Sequence, residues 1–270
     1  DCFAKREKVD DLIHEKLIAL FYNYLICGGM PEAVYSWVNN KDLNDVNRIL
    51  DEILTAYEED FSKHTDVNEA NKISLVWNCI PSQLARENKK FIYQLVKEGA
   101  RAREYENALI WLENANLTTR CYLAKKASLP LKAYIDLSSY KIYMNDIGLL
   151  RKLSGLEGSI ITEGDKLIEE FKGEYTENYV ANALTQLIDQ EPNYYTFDRY
   201  EIDFMIQNNN KIIPIEVKSD KSTNNISLTK YNSNNNNEYS YRFSLNGLKR
   251  DGKIINIPLY LIEYINNIQF

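Results

Sequence analysis

Apolar residues recur at helical spacing in the first third of the chain. The two clearest amphipathic stretches run from Val9 to Leu25 and from Leu43 to Phe61. The run Gly28 to Pro31 (GGMP) interrupts the pattern between them. It predicts a turn before a helix, because one glycine pair without a preceding strand is a weak signal for phosphate binding. We therefore expect a helical segment over residues 1–70.

The pattern changes from helical to strand-like within residues 71–155. Three helices are predicted, over Ile73–Cys79, Asn88–Lys97 and Tyr105–Asn114. Two strands follow, over Leu117–Leu123 and Leu131–Ile135. Three short helices followed by a strand pair are typical of a winged-helix domain, which often binds DNA and also serves protein contacts.

The last part of the chain, residues 156–270, contains a predicted antiparallel hairpin. Its strands are Tyr200–Ile206 and Ile212–Lys218, separated by a polar turn. Side chains alternate along a strand, so two acidic residues of the first strand share one face, and an acid and a lysine share one face of the second. If Asp203 lies opposite Glu216, the same register places Glu201 opposite Lys218, a favourable charge pair.

Two further residues bear on this hairpin. Pro214 lacks an N–H group, so we expect its position to face a sheet edge or a bulge. Glu177 precedes Val180 and Leu184 at helical spacing, which places it on or beside a buried helix face. A buried carboxylate needs a cation, a backbone donor or a metal ion as partner. Three carboxylates suit Mg²⁺ or Mn²⁺, and a nearby lysine can orient an attacking water.

Glu177, Asp203 and the run Glu216-Val217-Lys218 resemble the core of the PD-(D/E)xK nuclease superfamily. The resemblance implies a restriction-endonuclease-like α/β domain over residues 156–270. It also implies Asp203 and Glu216 as ligands of Mg²⁺ or Mn²⁺, Glu177 as an auxiliary ligand through water, and Lys218 as the residue that positions the nucleophile. The whole chain is then an α+β protein of three parts: a helical segment, a winged-helix-like domain and a nuclease-like domain.

A wider resemblance covers nearly the whole chain in order. The chain is similar to the domain of unknown function that follows the P-loop ATPase domain in many archaeal and bacterial AAA-type ATPases. The matching runs are GGMPEAV (28–34), IPSQLARENKKF (80–91), EGARAREYENALIWLENANL (98–117), PLKAYIDLSSYKIYMNDIGLL (130–150), EYTENYVANAL (174–184) and EIDFMI with IIPIEVKS. The resemblance implies an ATPase domain upstream, and the chain, which begins at Asp1, is expected to be a piece of a longer protein. Asn116 stands where the family usually has glycine, at a helix terminus.

A short run near the end of the chain partly matches the motif of a phosphate-binding loop (P-loop). Gly247 to Lys253 matches the first seven positions of a P-loop, but Ile254 replaces the required Ser or Thr. The residues that follow, Ile254 to Tyr260, predict a strand, whereas a P-loop opens a helix. We expect no ATP site in this chain.

Charge is unevenly distributed in a chain of net charge −7. Residues 71–150 alone are basic, with 12 Lys and Arg against 7 Asp and Glu. Five basic residues are predicted to contact nucleic-acid phosphates: Lys89, Lys90, Lys97, Arg101 and Arg103. The net negative charge argues against tight non-specific DNA binding.

The remaining composition excludes several classes of protein. Four widely spaced cysteines and two histidines indicate neither a zinc cluster nor a disulfide framework. The sequence shows no 18-residue apolar run and no signal peptide, so we expect a cytoplasmic protein without membrane contact. Two function hypotheses remain: Mg²⁺-dependent hydrolysis of DNA phosphodiesters, or a non-catalytic module that reports DNA or a partner protein to an attached ATPase.

Overall fold

The computed structural model describes residues 9–63, 65–86, 88–156, 167–187 and 192–267. It confirms a mixed α+β protein with a helical N-terminal part and one eight-stranded sheet. The chain divides into two compact units. We call residues 22–120 and 141–175 the helical unit, and residues 1–21, 121–140 and 176–270 the sheet unit.

The predicted N-terminal helices are confirmed to within two residues. Helices α1 to α4 are Asp11–Cys27, Pro31–Asn40, Leu43–Lys63 and Val67–Leu84. The Asp10 carboxylate accepts the N–H of Leu12 at 3.0 Å, and Asp66 accepts that of Asn68 at 2.9 Å, so each acid caps a helix start. Helix α4 runs well beyond the predicted Ile73–Cys79 and includes Pro81 in its last turn.

The predicted helix over Asn88–Lys97 is wrong. The chain forms only one 3₁₀ turn there, Tyr93–Leu95. The Gln83 side chain explains the difference, because its Nε2 donates to Ile92 O and its Oε1 accepts from Ile92 N–H, each at 2.9 Å. These two hydrogen bonds hold Ile92 in an extended conformation, so no α-helix can run through this residue. The Ile92 carbonyl also accepts the Leu95 N–H at 3.0 Å, which begins the 3₁₀ turn.

The next helix confirms its prediction. Helix α5 spans Ala102–Asn114. Asn116 follows it with a left-handed φ of 56°, and the Leu117 N–H donates to Leu112 O at 2.9 Å. This is the conformation for which glycine is usual at a helix end, and asparagine is the residue that tolerates it next best.

Strand β1, Thr118–Ala124, confirms its prediction to within one residue, but the predicted strand Leu131–Ile135 is wrong. Leu131–Tyr134 form a 3₁₀ helix, and strand β2 begins only at Ile135 and ends at Met144. Strand β1 pairs in parallel with a distant strand, from Tyr122 with Asn193 to Ala124 with Tyr195. Both strands therefore belong to the large sheet.

The remaining elements complete the sheet and its cover. Helices α6 to α8 are Ile147–Leu153, Leu167–Leu187 and Ile226–Asn234. Strands β3 to β8 are Asn193–Phe197, Tyr200–Asn208, Lys211–Val217, Ser240–Ser244, Lys249–Asp251 and Ile254–Pro258, and a 3₁₀ helix follows at Leu259–Asn267. The strand order is β2-β1-β3-β4-β5-β6-β8-β7. The pairs β1–β3, β5–β6 and β6–β8 are parallel, and β3–β4, β4–β5 and β7–β8 are antiparallel.

The predicted hairpin is strands β4 and β5. Its register is confirmed from the pair Phe204–Ile215 to the pair Asn208–Lys211. Pro214 lies in an interior strand, yet the pairing of β5 with β6 begins one residue later, at Ile215. Its missing N–H therefore interrupts no pairing with β6. The P-loop-like run, Gly247 to Lys253, lies in the β7–β8 hairpin, and Ile254 begins a strand as predicted.

Each unit has its own apolar core. In the sheet unit, Leu228 and Tyr231 of α8 pack with Ile202 and Met205 of β4. In the helical unit, Phe61 meets Trp77 and Trp111 edge to face, with ring centres 6.1 and 5.3 Å apart. Within the described ranges, no helix combines the length and apolar character needed to cross a membrane.

Candidate functional site

The C-terminal end of β5 holds a buried ion pair. Glu216 is only 6% exposed, and the Lys218 Nζ donates to its Oε1 at 2.6 Å. The Lys218 N–H donates to Phe243 O at 2.8 Å, which continues the line of β5 beside β6. Because residues two apart in an extended chain point to the same face, this backbone bond keeps the ammonium beside the carboxylate.

Asp203 lies at the same end of β5, next to a break in the pairing of β3 with β4. The β3–β4 register shifts between the pairs Asn193–Met205 and Tyr195–Ile202, so that Tyr194 alone faces two residues, Asp203 and Phe204. This is a β-bulge, and bulges are frequent beside active sites. The Asp203 Oδ2 accepts the N–H of Val217 at 2.7 Å. The Asp203 carboxylate thus accepts a hydrogen bond from the strand, as a backbone carbonyl ordinarily does, at the residue between Glu216 and Lys218.

The charges at this strand end act on one another. Burial raises the pKa of Glu216, Lys218 opposes this shift, and the carboxylates of Glu177 and Glu201 add to it, so that the pKa is raised overall. Burial would lower the pKa of Lys218, but Glu216 and then Asp203 outweigh it, so this pKa is raised as well. Glu177, on α7, is itself 6% exposed. Lys218 thus contacts Glu216, Asp203 bonds the residue between them, and Glu177 is near enough to raise the pKa of Glu216. We call Glu177, Asp203, Glu216 and Lys218 the carboxylate cluster.

One oxygen of this cluster is left without a hydrogen bond. The Oε2 of Glu216 is shielded from solvent and has no hydrogen-bond partner among the described residues. An unpaired buried acceptor is costly and uncommon, so it needs an explanation. In the same described part of the chain, no three His, Cys, Asp or Glu side chains form a group that could hold a metal ion. The cluster therefore combines two buried carboxylates, Glu177 and Glu216, with the partly exposed Asp203 and Lys218.

Sequence reasoning missed a polar row beside Glu216. Its register partner on β6 is Arg242, whose own partner on β8 is Asn256. Arg242 is 7% exposed, and it donates from Nε to Asn256 Oδ1 at 2.7 Å and from Nη1 to Asn225 Oδ1 at 2.8 Å. Burial lowers the pKa of Arg242. The available signal was one polar residue between two apolar residues, in Tyr-Arg-Phe and again in Ile-Asn-Ile.

The five residues predicted to contact nucleic acid lie in the helical unit. The predicted helix that would have carried three of them is absent. Lys90, Lys97, Arg101 and Arg103 are exposed, and Lys89 is partly buried. Lys89, Lys90 and Lys97 lie in the segment 88–97, which is not an α-helix. Arg101 precedes α5, where its N–H donates to Glu104 Oε2 at 2.8 Å. The five basic residues therefore occupy a loop and one helix start.

Comparison with known families gives two matches. A family model described as a domain of unknown function (DUF8612) matches residues 18–159, which is more than half of the chain. A second domain of unknown function (DUF4143) matches residues 172–262, the range that contains the carboxylate cluster. DUF4143 is usually found with AAA ATPases. Neither the curated proteins nor the solved structures include a match to this chain.

Proposed function

Because this chain belongs to the family of the domain of unknown function DUF8612, whose description states no activity, we propose a function from its chemistry. The proposed function is Mg²⁺-dependent hydrolysis of phosphodiester bonds in DNA by a restriction-endonuclease-like sheet unit. The observation that carries it is the unpaired, buried Oε2 of Glu216 beside Lys218 and Asp203.

The residues present fit a hard divalent ion. Mg²⁺ prefers carboxylate oxygens and is usually held by one or two carboxylates, with water and substrate phosphate as the other ligands. Glu216 and Asp203 would hold the ion, and Glu177 would act through water. A bound ion would supply charge neutralisation at the phosphate and a more acidic water. Two direct carboxylates suffice for this, so the chemistry needs no third protein ligand.

Each side chain of the cluster has a role in this proposal. The raised pKa of Lys218 keeps its ammonium charged, and a fixed cation stabilises the negative charge that develops on an attacked phosphate. The Val217 N–H orients the Asp203 carboxylate. The free oxygen of Glu216 would be a ligand of the ion. Glu177 and Glu201 add negative charge that attracts a cation.

The second candidate function is a non-catalytic recognition module attached to an ATPase. One observation favours it: DUF4143 usually accompanies AAA ATPases. Contact with DNA through Lys89, Lys90, Lys97, Arg101 and Arg103 is part of both candidates. A winged-helix arrangement of residues 71–155 would lack its second helix, so these contacts would come from a loop.

Plasmid cleavage tests the proposal. The wild type should nick supercoiled DNA in Mg²⁺ or Mn²⁺ and lose this activity in EDTA. Glu216→Gln keeps the shape of the side chain and should reduce the rate by at least about 100-fold, as expected for loss of a group that stabilises the transition state. Glu263→Gln, an exposed change in the same unit, is the matched control and should leave the rate unchanged.

The proposal fails if Glu216→Gln and the wild type cleave equally. It also fails if the wild type neither cleaves nor gains thermal stability from Mn²⁺. That second result, together with retained DNA binding, would establish the recognition module instead.

A further inference from the structure

A cleft of about 630 Å³ opens in the sheet unit at the end of β5 that lies away from Glu216. Three segments line it: the connection between β1 and β2, the β4–β5 turn, and the chain that follows α8. Lys211, at the start of β5, lines the cleft, and Glu216 lies five residues further along the same strand. At about 3.3 Å per residue, the two are about 17 Å apart.

The cleft is basic in an acidic chain. Lys126 and Lys211 both line it, and Glu238 is its single acidic lining residue, paired with Lys211. The connection that forms one wall, residues 125–134, contains three lysines and no acid, whereas the chain as a whole has a net charge of −7. The exposed Lys126 ammonium therefore offers a positive charge to an anion at the cleft mouth.

Aromatic rings accompany both lysines. The Lys126 Nζ lies 5.4 Å from the centre of the Tyr134 ring, and the Lys211 Nζ lies 5.8 Å from that of Tyr239. Tyr134 also lines the cleft and is partly exposed, so its ring is within reach of a ligand. A lysine beside an accessible ring is the arrangement with which proteins hold a phosphate and the base attached to it.

Side-chain amides supply the third element of the cleft. Asn210 and Asn236 line it and are exposed, and each amide can both donate and accept a hydrogen bond. Amides of this kind pair with the edges of unpaired bases. A free phosphate or an acidic peptide would use the lysines but would leave the ring and these amides without a role.

We infer that this cleft binds a segment of single-stranded nucleic acid, with Lys126 on a phosphate and Tyr134 stacked on a base. The site is distinct from the carboxylate cluster and from the basic loop of the helical unit. Binding here does not require the proposed hydrolysis, because it involves none of the carboxylates.

Fluorescence anisotropy with a labelled 15-nucleotide oligo(dT) tests the inference. The measurements are made in EDTA with the Glu216→Gln protein as the parent, so that cleavage plays no part. Lys126→Gln should weaken binding several-fold at 50 mM salt and reduce the slope of log affinity against log salt by about 0.7, the value for one phosphate contact on a single strand. Lys249→Gln, an exposed lysine on β7, is the matched control and should bind like the parent.

Variants of Tyr134 separate stacking from charge. Tyr134→Leu should weaken binding by at least about fivefold without changing the salt slope, since stacking on one ring carries that much affinity. Tyr134→Phe keeps the ring and should retain binding. Thermal melts of each variant establish that it is folded. An oligonucleotide carrying 5-iodouracil should crosslink to the peptide that contains Tyr134.

Several results would overturn the inference. They are no binding of oligo(dT) by the parent at 50 mM salt, equal losses in Lys249→Gln and Lys126→Gln, or unchanged binding in Tyr134→Leu. A 15-base-pair duplex that binds as tightly and suffers the same losses would also overturn it, because the bases of a duplex cannot stack on the ring. None of these results depends on whether the carboxylate cluster hydrolyses DNA.

Discussion

At the scale of single residues, the carboxylate cluster shows how one buried acid can be only half satisfied. Glu216 pairs one oxygen with Lys218, while its other oxygen has no partner among the described residues. Its register neighbour Arg242 donates instead to Asn256 and Asn225, although an arginine beside a buried carboxylate would ordinarily pair with it. Asn256 and Asn225 thus accept hydrogen bonds from the Arg242 guanidinium, and Glu216 Oε2 receives none.

The first prediction follows from the pKa of Glu216. Burial raises it above the ordinary 4.5, so the folded protein holds this proton more tightly than the unfolded chain. Ionisation of Glu216 therefore lowers the free energy of unfolding as the pH rises above about 4.5. In the absence of metal, Glu216→Gln should unfold at a higher temperature than the wild type at pH 8. The difference should shrink as the pH falls towards 4.

Thermal melts across this pH range check the prediction. Glu263→Gln should track the wild type throughout. A Glu216→Gln protein that is less stable than the wild type at pH 8 would show that the ion pair with Lys218 outweighs burial.

The second prediction concerns the hydrogen bond of Asp203. Its Oδ2 accepts the Val217 N–H at 2.7 Å, so Asp203→Ala should leave that N–H unpaired and destabilise the fold by about 1–3 kcal/mol. Asp203→Asn retains an acceptor oxygen and should cost less. Urea unfolding of the two variants measures the difference. Equal stability of both would mean that water replaces the carboxylate at no cost.

At the scale of elements, the turn between α1 and α2 is fastened to the start of α6. The Asp146 side chain accepts the Leu149 N–H at 2.8 Å and the Gly29 N–H at 2.7 Å. Gly28 has a φ of +71°, and a Cβ on Gly148 would lie 2.5 Å from the Cys27 carbonyl oxygen. Gly28 and Gly148 of the runs GGMP and NDIG therefore serve close packing in the helical unit.

The third prediction tests this contact with paired substitutions. Gly148→Ala places a methyl group against backbone that cannot move aside, and it should lower the free energy of unfolding by about 1–3 kcal/mol. Gly173→Ala is the control, because Gly173 lies within α7 with no atom within 4 Å of the added Cβ. It should stabilise the helix by up to about 1 kcal/mol. Denaturant melts in which both changes have the same sign would contradict this account.

At the scale of the whole molecule, the balance of charge limits how nucleic acid is bound. The chain has a net charge of −7, so any affinity for DNA depends on local basic regions. Two such regions are present, one in each unit: the loop before α5 and the cleft at the start of β5. Binding through either should be sensitive to salt.

The fourth prediction concerns the basic loop of the helical unit. Lys89→Glu combined with Arg101→Glu should weaken duplex binding alike for all sequences and reduce the salt slope by up to about 1.8, the value for two phosphate contacts. Binding titrations at several salt concentrations, with Lys249→Glu as control, measure both effects. Salt-independent binding, or none at low salt, would indicate that this loop docks a protein.

Local patterns were sufficient to predict a large part of the fold. The helices α1, α3 and α5, the strand β1 and the β4–β5 hairpin with its register follow from periodicity, because each depends on residues close together in the chain. The proximity of Glu216 and Lys218 followed from the same alternation. One failure lies where a side chain from outside the predicted segment intervenes. Gln83 binds the backbone of Ile92 nine residues away, and this turned a predicted helix into an extended segment.

The candidate site likewise has features that the sequence predicts and features that only the tertiary structure shows. The sequence by itself named the candidate residues Glu177, Asp203, Glu216 and Lys218, through helical spacing, strand alternation and the resemblance to a nuclease superfamily. Only the tertiary structure decided that a bulge places the Asp203 carboxylate on the Val217 N–H, that Arg242 lies beside Glu216, and that one oxygen of Glu216 stays unpaired. The physical reason is that strand neighbours and burial depend on pairing between segments far apart in the chain, which local periodicity does not encode.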